Sequence, residues 1–128
     1  MPALNYQQWK AEKVKSGECV QTIRAQRKRP FQVGDRLYHY TGMRTKECRK
    51  LLENECLQAL DIMIDGVCVV IDHGIPLDAD QREMLAQADG FASYDDMEAW
   101  FGESHGFPFN GQLILWEFTS EGGVKCLS

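Results

Sequence analysis

The sequence predicts an α+β fold: a small, largely antiparallel sheet or barrel flanked by short helices. Three observations carry this reading. Strand-like runs follow one another through short turn signals, from residues 19–24 through 35–42 and 56–64 to 67–72. Helical patterns with no strand alternative are confined to an N-terminal segment and to residues 77–101. The strand–helix–strand alternation that builds a parallel, doubly wound sheet does not occur.

Taken in order, LNYQQWKAEKVKSG (residues 4–17) reads as a helix with Asn5 as N-cap, Tyr6, Trp9, Lys13 and Val14 on one face, and Gly17 as the C′ residue. CVQTIR (19–24) alternates as a strand does, with Val20 and Ile23 inward or shared between faces. AQRKRPFQVGD is a basic loop stopped by Pro30, with Gly34-Asp35 as a turn signal. Asp35–Gly42 is a strand that sets Leu37, His39 and Thr41 on one side and Tyr38 and Tyr40 on the other. Residues 44–55 fit either a helix or the start of a long strand. CLQALDIMI (56–64) is a strand, and Asp65-Gly66 makes a tight hairpin turn into VCVVID.

Two short helices follow. In LDADQREMLAQADG an Asp stands near the start, Met84, Leu85 and Ala88 are apolar, and Gly90 comes after the end. SYDDMEAWF has Ser93 as N-cap, Asp96 three residues on in a capping-box position, and an apolar stripe of Met97, Trp100 and Phe101. QLILWEF (112–118) has so few polar side chains that it reads as a central strand. The tail, TSEGGVKCLS, is expected to fray.

A chain of 128 residues, 44% of them hydrophobic, suits a single domain with a real core, taken as residues 1–128. No apolar run approaches the roughly 18–20 residues that span a bilayer. MPALNYQQWK has no signal-peptide core, so a soluble cytoplasmic protein with no membrane partner is expected. The five cysteines (Cys19, Cys48, Cys56, Cys68 and Cys126) are odd in number and contain no C-x-x-C pair, which argues against a disulfide framework. With His39, His73 and His105 equally scattered, neither a metal site nor a cofactor is expected.

Charge is divided sharply along the chain. Residues 1–50 hold 12 Lys/Arg against 4 Asp/Glu, while residues 51–128 hold 2 basic against 15 acidic side chains. Nine of the 14 basic residues lie between Arg24 and Lys50. Binding responds to the local field rather than the net charge of −5, so this segment is where a phosphate would dock. A solvated basic face accounts for it equally well.

The run GECVQTIRAQRKRPFQVGDRLYHYTGMRTKECRKL resembles the ASCH domain, a branch of the PUA-like superfamily. Such domains carry a G-x-K-x-x-T-x-R signature after a first helix, then a V-G-D turn into a strand. Here Gly17, Thr22 and Arg24 stand in register, followed by Val33-Gly34-Asp35. YTGMRTKECRKL and DGFASYDDMEAWF are similar to the longer members found in bacteria and their phages, and the resemblance spans roughly residues 5–118. It implies a PUA-like β-barrel with helices at its side and a polar cleft, and RNA or a modified nucleoside or nucleotide as partner. One group of small ASCH-like proteins hydrolyses N4-acetylcytidine with a lysine, a threonine and a glutamate. Matched by motif, these fall on Cys19, Thr22 and Asp89, so only the threonine is unchanged.

Those replacements weigh on the chemistry. A cysteine cannot supply the lysine's positive charge, and at an ordinary pKa of about 8.5 it is mostly neutral thiol. Arg24 or Lys46 beside Cys19 would have to lower that value to make the thiol itself a nucleophile. Asp89 keeps the carboxylate but withdraws it by one methylene, and proton transfer needs about 2.6–3.2 Å or one intervening water.

The leading expectation is therefore a nucleic-acid or nucleotide binding module, non-catalytic or weakly catalytic, with a basic cleft around Thr22, Arg24 and the cluster at 27–50. Arg24 would fork to a phosphate or base edge. Arg27, Arg44, Lys46 and Arg49 would extend the positive surface, and Tyr40, with Tyr38 and Trp116, would stack on a base. Thr22 and Thr41 would hydrogen-bond a base or sugar. The first alternative is a hydrolase of an N4-acylated or otherwise modified cytidine, with Thr22, Cys19 and Asp89 as its site. The second is a phage-type protein-interaction factor whose acidic C-terminal half, from Asp78 to Glu103, faces a basic protein partner.

Overall fold

The computed structural model describes residues 3–117. In chain order these form β1 (Ala3–Tyr6), α1 (Gln8–Ser16), β2 (Gln21–Ala25), β3 (Arg36–Thr41), β4 (Arg49–Ile64), β5 (Val69–Ile71), α2 (Ala79–Ala88), α3 (Tyr94–Ser104) and β6 (Phe109–Trp116). The fold is α+β, with six strands ordered β1-β3-β4-β6-β2 and β5 added to β4. All pairings are antiparallel except β1 with β3. Among the described residues no ladder joins β1 to β2, so the strands form an open path rather than the closed barrel expected.

The 16-residue β4 organises the sheet. Its first half, Arg49–Glu55, pairs with β3, and its second half, from Cys56, pairs with β6 and then β5. A register shift between Cys56 and Gln58 marks the change of partner, as an extra residue bends a strand and increases its twist. The strand reading of the ambiguous 44–55 segment thus holds from Arg49 on; residues before it form turns, with Arg44 at φ 68°.

Alternation along β6 divides the core. Ile114 and Trp116 face a cluster with Leu4, Val14, Cys19 and Leu37, whereas Leu113 faces Ile23, Ile64, Leu85, Met97 and Phe101 beneath α2 and α3. Trp116 is therefore a core side chain, its ring 4.5 Å from that of buried His39, and not a surface for stacking a base.

The N-terminus departs from the sequence reading. Residues 3–6 are a strand, and Asn5 is not a helix cap; α1 starts after Gln7, which makes no side-chain cap. Leu4 and Tyr6 alternate into the core, and their burial outweighs the helical propensity of the segment. Gly17 does end α1 in the left-handed conformation, at φ 88°. The β4–β5 hairpin has a four-residue connection, Asp65–Cys68, because the Asp65 carboxylate accepts from the backbone N–H groups of Val67 and Cys68 and holds a wider turn. The helices follow expectation: Asp78 and Gln81 form a reciprocal capping box, and Ser93 accepts from Asp96 N–H. Strand β6 begins at Phe109, three residues earlier than expected. Phe118, Cys126 and the tail lie outside the described residues.

Candidate active site

Strand β2 runs at one end of the sheet path and β1 at the other, and the cavity of interest lies between them, roofed by α1. Alternation along β2 turns Ile23 into the core and sends Thr22 and Arg24 the other way. The cavity has a volume of about 370 Å³, within the range of small-molecule sites. Its polar lining includes Lys10, Thr22, Arg24 and Asp89, and its apolar wall includes Trp9, Phe91 and Trp100.

Lys10 is the residue the sequence reading missed. It shares the inward face of α1 with Ala11 and Val14 and is only 6% exposed. Its Nζ lies 3.3 Å from an Asp89 carboxylate oxygen and 3.4 Å from Thr22 Oγ1. The other Asp89 oxygen accepts from Gln21 Nε2 at 3.4 Å. Thr22 Oγ1 also accepts from Arg24 Nε at 3.2 Å, so two cationic donors converge on one hydroxyl oxygen. Arg24 Nη2 donates to the Asn5 carbonyl at 2.8 Å, bridging the gap between β2 and β1, and its guanidinium lies over the Tyr6 ring at 4.9 Å.

Asp89 is placed by the end of α2. It is the C-cap, and Gly90 follows with φ 97°, a left-handed conformation that reverses the chain into Phe91. Lys13 Nζ donates to the Gly90 carbonyl at 2.9 Å, and the rings of Trp9 and Phe91 are 5.2 Å apart, so α1 is fastened to the segment that carries the carboxylate. Burial raises the Asp89 carboxyl above the usual carboxylate range, and the Lys10 ammonium pulls it back. The negative end of the α2 dipole acts in the same direction as burial.

Beneath the site runs a buried polar chain. His39 Nε2 lies 2.9 Å from Asn54 Oδ1, and His39 Nδ1 lies 2.9 Å from the Tyr6 hydroxyl. Asn54 Oδ1 only accepts, so Nε2 carries the proton and Nδ1 accepts from Tyr6. Burial lowers the His39 pKa to about 4 and pushes the Tyr6 phenol up. Thr41 donates to the Tyr6 carbonyl at 2.8 Å, a buried structural bond and not a ligand contact.

Of the three positions matched to the hydrolase motif, Thr22 and Asp89 are brought together and Cys19 is not. The Cys19 side chain is 1% exposed and packs in the core; its single S–H is shared between the carbonyls of Ala88, at 3.2 Å, and Gln21, at 3.4 Å, and it does not line the cavity. Burial pushes this thiol up, although Lys10 acts against that shift. Of the expected ligand-binding residues only Arg24 lines the cavity. Arg27 is exposed and lies over Phe31, Arg44 and Lys46 are exposed, and Arg49 pairs with Glu12 at 3.0 Å. Tyr40 is half-buried on the face of β3 opposite His39, away from the cavity lining. Arg36 and Lys50 share Glu53, so part of the basic cluster is neutralised within the fold.

Among the described residues, no group of three His, Cys, Asp or Glu side chains is arranged to hold a metal ion, and no helix is long and apolar enough to cross a membrane. Comparison with protein-family models, curated proteins and solved structures returns no match.

Proposed function

We propose that this protein is a small amidohydrolase of the ASCH/PUA-like type, acting on an N-acylated nucleobase or a similar acylated ring. The observation that carries the reading is the convergence of Lys10, Thr22 and Asp89 at one buried point of the cavity wall. Lysine, threonine and a carboxylate are the three functions that the motif resemblance requires. The amine comes from α1 instead of motif position 19. The Arg24–Asn5 hydrogen bond links β2 and β1 across the mouth of this site.

In this reading Thr22 is the nucleophile. A proton passes from the Lys10 ammonium to the Asp89 carboxylate, which burial makes receptive, and leaves a free amine beside the hydroxyl. The amine takes the Thr22 proton as Oγ1 bonds to the acyl carbon, and the carbonyl oxygen becomes an oxyanion. The C–N bond then breaks, Lys10 returns the proton to the departing amine, and the acyl group stays on Thr22 as an ester. Water, deprotonated by Lys10, adds to the acyl carbon; the C–Oγ1 bond breaks, the acyl group leaves as the free acid, and Lys10 returns its proton to Thr22 Oγ1. Trp9, Phe91 and Trp100 supply the apolar wall for the ring of the substrate.

The test is release of cytidine from N4-acetylcytidine, followed by chromatography, with wild type beside Thr22→Ala. Cytidine formed by wild type and not by Thr22→Ala supports the reading; an inert wild type removes it. The basic cluster favours a purely binding role less, since Arg36, Lys50 and Arg49 already have carboxylate partners.

A further inference from the structure

The charges around the cavity do not balance. Its lining holds Lys10, Arg24 and the imidazole of His105 against one carboxylate, Asp89. Lys10 and Asp89 satisfy each other. Arg24 is only half-buried and forms no ion pair among the described residues. A guanidinium carries five N–H bonds in a planar fork. Two of them are spent here, Nε on Thr22 and one Nη2 hydrogen on the Asn5 carbonyl. Those two bonds and the Tyr6 ring beneath it fix the plane of the group. Of the remaining N–H bonds, two on Nη1 and one on Nη2, one is within reach of the Tyr6 hydroxyl and the other two have no acceptor among the described residues, in a group held rigid at the wall of a cavity.

A fixed cation with unused donors is a receptor for an oxyanion, because a planar fork matches carboxylate and phosphate oxygens. The surroundings strengthen the field. Ala25 lines the same cavity, and the loop that leaves it carries Arg27, Lys28 and Arg29, all exposed.

We infer that Arg24 anchors an anionic group of the ligand, so that this cavity takes a ring bearing a phosphate or carboxylate in preference to a neutral nucleoside. The inference deepens the hydrolase reading by naming the charge of the substrate, but it concerns binding and does not need turnover. The anion can enter as the 5′-phosphate of a nucleotide or as a carboxylate on the acyl arm, and the two sources place the charge at opposite ends of the molecule.

The experiment is isothermal titration of the full chain with cytidine, cytidine 5′-monophosphate and N4-succinylcytidine, all three on Thr22→Ala to prevent turnover and the first two also on wild type, which keeps the Thr22–Arg24 bond. At least one anionic compound is expected to bind tenfold or more tightly than cytidine, with an advantage that shrinks as salt is raised. Preference for the monophosphate assigns the phosphate, and preference for the succinyl compound assigns the carboxylate. Arg24→Gln is expected to erase the advantage, and Arg24→Lys, which keeps the charge without the fork, to retain part of it. Binding of all three compounds within twofold of one another, binding of none, or an advantage that survives Arg24→Gln overturns the inference. Turnover of N4-acetylcytidine without anion preference overturns this inference alone, whereas anion preference without turnover overturns only the hydrolase reading.

Discussion

Lys10 Nζ and the Asp89 carboxylate stand 3.3 Å apart, and each side chain is more than nine-tenths buried. The two residues come from elements far apart in sequence, α1 and the C-terminus of α2, and Thr22 meets the pair from β2. Taking two charges out of water is costly, and such a pair adds little net stability relative to apolar residues of the same volume. This fold keeps one beside a hydroxyl, so that an amine, a carboxyl raised by burial and a threonine side chain share a single contact set. Breaking the pair is a different matter from replacing it.

Asp89→Asn leaves the Lys10 ammonium buried without its counter-charge, and is expected to cost about 3–5 kcal/mol in urea unfolding at neutral pH. Lys10→Met leaves a buried carboxyl that must stay protonated. With its folded pKa raised, that variant is most stable below the unfolded carboxyl value of about 3.9 and loses stability as pH rises through the folded value. The double variant Lys10→Met/Asp89→Leu is expected to recover most of the loss. Additive penalties in the double variant would show that the two side chains are not coupled.

His39 gives the opposite pH dependence. Its folded pKa, lowered by burial to about 4, lies below the ordinary 6.5, so the unfolded chain binds the extra proton first. The neutral ring therefore contributes stability that is complete above pH 6.5 and disappears as pH falls through about 4. The difference amounts to about 3 kcal/mol. Urea midpoints measured from pH 7 to pH 4 are expected to fall for wild type and to fall less for His39→Gln. An NMR titration placing the His39 midpoint near 6.5 would remove the basis for this.

Cys19 is expected to behave as a core residue. Its thiol is buried and bonded to two backbone carbonyls, whereas Cys48 is exposed. Alkylation of the folded protein followed by peptide mapping should label Cys48 and spare Cys19. Preferential labelling at Cys19 would revive a thiol nucleophile.

Much of the fold was legible because local signals agreed with tertiary ones. The aromatic alternation of residues 36–41, the Ser93 cap and the terminal glycine of α1 each act within a few residues, and each stands where the pattern put it. The N-terminal strand was not legible, since Leu4 and Tyr6 gain their burial from β3, more than thirty residues away. The site was half legible. Thr22 and Asp89 line the same cavity, whereas the position matched to the motif's lysine is Cys19, three residues before Thr22 and buried in the core, and the amine that lies beside Thr22 stands on α1. One sequence signal did exist: Lys10 stands four residues before Val14 and beside Ala11, on the buried face of its helix, where a lysine needs a partner. The expected stacking residues Tyr38, Tyr40 and Trp116 lie outside the cavity lining; its aromatic wall is Trp9 on α1, Phe91 after α2 and Trp100 on α3, with Phe91 in contact with both tryptophans.

The central claim is that Lys10, and not the residue at position 19, activates Thr22. The most direct test compares N4-acetylcytidine hydrolysis by wild type, Lys10→Met and Cys19→Ala, each checked for folding by circular dichroism. Wild type and Cys19→Ala are predicted to turn over at rates within about threefold of each other, whereas loss of the base lowers the rate of Lys10→Met by about 10²–10⁴. A folded Lys10→Met that keeps wild-type activity, or a Cys19→Ala that loses it, would contradict the account.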